Sequence, residues 1–306
     1  MKIRRWAAVL LTLLLLTAAA CGGKTAAPEK PTEGEDMTQY DLKAFDLDKY
    51  TAPVWDGVVC YAEAAFVREN EAGAVEPIRL LYDIETIVSV RSADLQTVYT
   101  EGVDYTVTDG KLVVVPGGRI PVLPYDRYYF DVYTDDGLKT QIPAAADTGA
   151  YIVAEMSKTD AGMSAWCLAV TYTHKPATVL PKPADRSDVF ASLNAKLTDK
   201  QTVRVAYYGD SITYGWSATA LAEIDRAPYC PSYCDLAMDA LEAAYGVTVE
   251  RHNFAVSGQT GEWATAYVNY SPIVEYAPDL VVLAFGMNDG VGIEPKAFRK
   301  NIRSIV

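Results

Sequence analysis

Apolar positions follow one period in the first part of this chain and another beyond about residue 200. Between Tyr40 and His174, short runs rich in Val, Ile, Tyr and Thr predict strands over 84–90, 104–107, 111–115, 128–133, 151–155 and 165–172. The turn pairs Asp109-Gly110, Gly117-Gly118, Asp136-Gly137 and Ala161-Gly162 punctuate them. The run Thr106 to Val114, broken at Asp109-Gly110, reads as a tight hairpin. With no long amphipathic helix in this stretch, residues 40–175 are expected to form an all-β sandwich or jelly-roll-like domain.

A connector over 176–200 follows, with Pro176, Pro181 and Pro183 among charged residues. Beyond it strands alternate with helices. Val203 to Tyr208 is apolar almost throughout, as suits a strand buried on both faces of a parallel sheet. It ends abruptly in Gly209-Asp210-Ser211. Ser232 and Asp235 have the spacing of a capping box, and Gly246 stands where a helix would stop. Between them Tyr233, Leu236, Ala237, Ala240, Leu241 and Ala244 trace one apolar face. A strand over 247–254, a helical stretch to Pro278 and a buried strand over 279–285 come next. Pro295 can open a last helix, with Phe298, Ile302 and Ile305 as its apolar side. Residues 201–306 therefore predict an α/β domain built on a doubly wound parallel sheet.

In such a sheet the strand ends share one edge, where ligands and chemistry gather. Here they carry Gly209-Asp210-Ser211, Ser257-Gly258 and Gly286-Met287-Asn288-Asp289. Acyl transfer needs a nucleophile and convergent donors around the developing oxyanion. A serine hydroxyl, a backbone N–H at a glycine and an asparagine amide answer that need. The three segments, in this order after three predicted strands, resemble the sequence blocks of the SGNH (GDSL-type) hydrolases, a family of serine esterases and acylhydrolases. The resemblance covers roughly 201–306 and implies a flavodoxin-like sheet, of which this chain carries three strands. It implies Ser211 as nucleophile, and an oxyanion hole made by the N–H groups of Ser211 and Gly258 with the side chain of Asn288. No cofactor and no metal are expected from the residues. Asp210 reads as a turn residue and Asn253 as a partner of nearby backbone, while Thr213, Trp263 and Asp289 either line the pocket or brace its loops.

The family's base comes from an Asp-x-x-His block, and this chain has none. Its two histidines, His174 and His252, match no catalytic position. The resemblance therefore implies a protein incomplete at its C-terminus, with weak or no hydrolysis as it stands.

Composition adds an address and removes some partners. Lys2, Arg4 and Arg5, an apolar run over 7–16 and Ala18 to Ala20 have the pattern of an export signal. The Cys21 that follows resembles the lipidated first residue of a bacterial lipoprotein, so 1–21 is expected to be a signal and 22–39, poor in large apolar residues, a tether. The expected location is the outer face of a bacterial cell membrane, reached through a lipid anchor. A net charge of −13 disfavours nucleic acid, and no Gly-rich phosphate loop is present. Cys60 and Cys167 could be bridged or stand as buried thiols, and Cys230 with Cys234 is too small a set for zinc. Trp55, Tyr125, Tyr128, Tyr129 and Trp166 could stack on sugars or simply pack a core or an interface. The leading expectation is a membrane-anchored serine esterase whose substrate is an acyl ester or an O-acetylated glycan. The competing one is a noncatalytic, glycan-binding lipoprotein with a degenerate hydrolase domain.

Overall fold

A computed structural model describes residues 36–52, 57–130, 139–143, 151–156, 162–175, 184–216 and 218–306. The expected signal, Cys21 and most of the tether lie outside these residues, as do Trp55 and the Asp136-Gly137 turn. The chain divides into two compact units, one within 26–181 and the other centred on 182–306. None of the described helices is long and apolar enough to cross a membrane.

In the first unit a 3-10 turn (Met37–Tyr40) and a single helical turn, α1 (Leu47–Tyr50), precede β1 (Val59–Phe66), β2 (Thr86–Ser92), β3 (Val98–Tyr99), β4 (Tyr105–Thr108) and β5 (Lys111–Val114). The turn α2 (Tyr125–Tyr128) leads into β6 (Tyr129–Phe130), β7 (Lys139–Pro143), β8 (Tyr151–Met156) and β9 (Cys167–Thr173). The described strands form antiparallel sheets in the orders β1-β9-β2-β3, β4-β5 and β6-β8-β7. The sandwich expectation is met in its antiparallel strands. The hairpin β4–β5 forms as its sequence predicts, because Asp109 and Gly110 both take positive φ (50° and 70°). Strand β1 was not predicted. Its Ala-Glu-Ala-Ala run favours helix, but pairing with β9 holds it extended around a bulge at Ala62, whose N–H donates to Thr171 Oγ1 (3.1 Å). Cys60 lies opposite Tyr172 and Cys167 opposite Phe66, at the two ends of the β1–β9 ladder. That separation, about 20 Å along the strands, is far beyond disulfide reach, and both are free thiols. Tyr125, Tyr128 and Tyr129 pack on one another at 4.6 and 4.9 Å between ring centroids, with the Arg68 guanidinium over two of them.

The second unit comprises α3 (Ala191–Thr198), β10 (Val203–Gly209), the turn α4 (Ser211–Tyr214), α5 (Tyr233–Tyr245), β11 (Val249–Asn253), α6 (Tyr267–Tyr276), β12 (Leu280–Ala284) and α7 (Pro295–Ile305). Helix α3 falls inside the stretch read as a connector. It belongs to this unit, because Leu193 and Leu197 are buried in its core. The sheet is parallel, in the order β11-β10-β12.

Central strand β10 is buried on both faces, as its sequence predicts. Val203, Val205 and Tyr207 pack with α3 and α5, while Ala206 and Tyr208 pack with Ala264 and Ile273 on the other side. Both tyrosines reach across their layer to a carbonyl, Tyr207 to Cys234 O (3.0 Å) and Tyr208 to Ala264 O (3.1 Å). The ends of α5 follow its caps: Ser232 Oγ accepts from the Asp235 N–H (3.3 Å), and Gly246 turns left-handed (φ 59°). Its buried stripe is Cys234, Met238, Leu241 and Tyr245, rotated from the predicted face, and Ala244 is exposed.

Candidate active site

Strand β10 cannot continue past Gly209. A Cβ there would lie 2.5 Å from Ala284 O and 2.7 Å from Thr213 Cβ, with Thr213 Oγ1 closer still. Only glycine lets α4 fold back so tightly against β12. Asp210 then caps α4, accepting the Ile212 N–H at 3.0 Å, and is itself buried. This puts half-buried Ser211 on the first residue of the turn, where a backbone N–H has no intrahelical acceptor. The nucleophile candidate therefore stands at the C-terminal end of the central strand.

Two further segments close on this turn. After β11 the chain stays beside β10: Phe254 N–H donates to Tyr207 O (2.8 Å) and Val256 N–H to Gly209 O (3.0 Å). A turn closed by Gln259 N–H on Val256 O (3.3 Å) carries Gly258 at φ 79°, in open space, so its backbone is accessible to a ligand. From β12, Asn288 Nδ2 donates to Gln259 O (2.8 Å), one residue from Gly258. An amide NH₂ has two hydrogens. One fixes the orientation of Asn288 on Gln259 O, and the amide has a second to donate.

Side-chain bonds to backbone tie the three segments. Asn253 Nδ2 donates to Thr213 O (2.7 Å), and its Oδ1 accepts from Ala255 N–H (3.0 Å). The same Thr213 carbonyl accepts from Cys234 Sγ (3.3 Å). Burial pushes the Cys234 thiol up to about 12, so it stays a neutral donor. Thr213 Oγ1 and the Tyr233 hydroxyl are 2.9 Å apart. Buried Asp289 takes the Gly261 N–H on both oxygens, at 2.9 and 3.0 Å, which locks the Gly258 loop to the Asn288 loop. Phe298 and Ile302 of α7 cover Gly261, on the face the sequence predicts. Asn253 and Asp289 thus brace loops. Trp263 packs against Tyr208 and Phe285. The support from Tyr233 and Cys234 was not foreseen, since the sequence marked Tyr233 as a helix-face position and Cys234 as one of a pair too small for zinc.

Neither histidine completes a nucleophile–base pair here. His252 lies opposite Ala206, three residues before Gly209, hence about 10 Å back along the strand. It is exposed and sits 4.1 Å from the Phe254 ring, whereas a base must come within about 3 Å of the proton it takes. His174 is buried in the first unit, stacked on Tyr82 at 4.0 Å, with Nδ1 2.7 Å from Lys175 O.

The chain leaves the turn through Gly215 and makes an excursion over 219–230. Ala220 N–H donates to Cys230 O (3.0 Å) and Cys230 N–H to Thr219 Oγ1 (2.7 Å), which pinch the loop at its base.

Residues 207–306 match the family model described as GDSL-like Lipase/Acylhydrolase family. The match starts within β10 and takes in all three segments of the site. No curated protein matches the chain. Among solved structures, a two-domain esterase (CEX) active on acetylated mannans aligns over 38% of this chain at 15% identity and a TM-score of 0.31. The same esterase co-crystallised with mannopentaose aligns at 16% identity and 0.28. Either alignment spans 28% of that protein's length.

Proposed function

We propose that the second unit hydrolyses carboxylic esters through an acyl-enzyme on Ser211. The observation that carries this is the joining of three strand ends by side-chain-to-backbone hydrogen bonds, leaving Ser211, the Gly258 backbone and the second N–H of Asn288 to act together. Ser211 Oγ attacks the ester carbonyl as its proton passes to a base, and the carbonyl oxygen becomes an oxyanion. That charge is met by the N–H groups of Ser211 and Gly258 and by Asn288 Nδ2. Collapse expels the alcohol, and water then attacks the acyl-enzyme and releases the acid. The base is not His252, and the family resemblance assigns it to an Asp-x-x-His segment. We further propose O-acetylated carbohydrate as substrate, on the strength of the export pattern and the β-rich unit ahead of the hydrolase unit. Export and anchoring through Cys21 belong to the same proposal and rest on the sequence of residues 1–21 alone.

A fluorophosphonate probe tests the reading. Labelling of the full-length, folded protein, with its Asp-x-x-His segment, should vanish in Ser211→Ala and fall by about 10²–10³ in rate in Asn288→Ala. Labelling that survives Ser211→Ala would overturn it. A full-length, folded protein with the Asp-x-x-His segment that takes no label would favour the noncatalytic, glycan-binding alternative.

A further inference from the structure

We propose that Tyr214, Trp216 and Glu223 form a subsite beside Ser211 that binds the sugar ring of the ester's alcohol portion. The inference deepens the reading above and rests on Ser211 being the reacting group. Ser211 and Tyr214 are the first and last residues of α4. Three apart on one helical turn, they share a side, with Cβ atoms about 5–6 Å apart. Cα–Cβ bonds in a helix tilt toward its N-terminus, which is the Ser211 end of this turn.

Gly215 then reverses the chain at φ 91°, in a place where a Cβ would meet Ser232 Cβ at 2.8 Å. The reversal returns Trp216 to the same turn, where its N–H donates to Ser211 O (3.0 Å). The two rings stand 6.2 Å apart at 44°. Exposed Glu223, from the excursion, accepts the Tyr214 hydroxyl on Oε1 at 3.0 Å. Its other oxygen retains acceptor capacity.

Two splayed, half-buried rings and a carboxylate match a pyranose. The C–H faces of the sugar lie on the rings, and a hydroxyl donates to Glu223. A simple alkyl alcohol offers neither a flat C–H face nor a second hydroxyl, so the subsite favours sugar esters over alkyl esters of the same acid.

The test uses the full chain carrying Ser211→Ala, so that nothing turns over. The Trp216 indole N–H is assigned in ¹H–¹⁵N spectra through Trp216→Phe. It is then followed while methyl 6-O-acetyl-β-glucopyranoside is added, with ethyl acetate as control. The sugar ester should shift this resonance saturably and ethyl acetate should not. Adding Glu223→Ala should raise the midpoint about fivefold, as for the loss of one hydrogen bond. An unmoved Trp216, or equal shifts with both esters, would overturn the subsite. Fluorophosphonate labelling of the otherwise wild-type chain reads the parent proposal separately. Labelled Ser211 with a silent Trp216 refutes the subsite alone. Unlabelled Ser211 with a responding Trp216 removes hydrolysis and keeps the sugar contact.

Discussion

Substituting Gly209 by alanine tests the close approach of α4 to β12 behind Ser211. Its backbone lies outside the left-handed region, so alanine meets no conformational penalty and the whole effect is steric. The added methyl would sit 2.5 Å from Ala284 O and 2.7 Å from Thr213 Cβ, against an ordinary contact of about 3.5 Å. Neither neighbour can retreat easily. Ala284 is held in the β10–β12 ladder, where its carbonyl accepts the Asp210 N–H (3.3 Å), and Thr213 is held by Tyr233. Overpacking typically costs about 1–3 kcal/mol, and two fixed neighbours place this case near 3. A unit of roughly 120 residues unfolds with an entropy of about 0.25 kcal/mol/K, so Tm should fall by about 12 °C. Gly258→Ala is the counterpart, with open space around the new methyl but φ at 79°. Its cost is conformational, about 1 kcal/mol, and its Tm shift about 4 °C. Scanning calorimetry of both variants supplies the comparison. Equal shifts, or a larger one for Gly258→Ala, would refute the steric account of the turn at Ser211.

Three other outcomes follow from the geometry. Asp289→Ala leaves the buried Gly261 N–H without its acceptor, costing about 1–3 kcal/mol; amide exchange at Gly261 should accelerate, and Asp289→Asn, which keeps one oxygen, should recover part of the protection. Buried Asp104 is held well below the ordinary carboxylate value of 3.8 by the Arg119 guanidinium and then by the Thr100 N–H. Because the folded value is the depressed one, its stabilisation is complete above about pH 4 and is lost as pH falls toward the folded value. Urea midpoints should therefore drop on that acid limb, and Asp104→Asn should flatten it. Alkylation in guanidinium without reductant should modify Cys60, Cys167, Cys230 and Cys234 alike. In the native protein Cys60 should react slowly, since burial raises its thiol to about 11. A pair that resists alkylation until reduced would refute the free-thiol assignment.

The parts of this fold that local chemistry decides were legible in the sequence. The β-branched and aromatic run of β10, the Asp109-Gly110 turn and the caps of α5 each act within a few residues, and each stands where the residues place it. The parts decided by distant contacts were not. The stripe of α5 depends on which side meets β10, and Ala and Leu at neighbouring positions offered two readings. Helix α3 shows only Leu193 and Leu197 to the core, too little for a periodic signal beside three prolines. Strand β1 has a helix-favouring composition that its partner overrides. At the site, the order of Ser211, Gly258 and Asn288 along the chain sufficed to nominate them. The bonds from Asn253, Cys234 and Asp289 that hold the loops together join segments up to 40 residues apart, so no local pattern could announce them.

The pinch at Thr219, Ala220 and Cys230 makes the excursion between Gly215 and α5 a detachable cassette. The bonds that fix Ser211, Gly258 and Asn288 all lie outside it. Lengthening a loop whose ends are already clasped adds little entropy cost, under about 1 kcal/mol per doubling. An insertion within 221–229 should therefore leave the bonds around Ser211, Gly258 and Asn288 as they are.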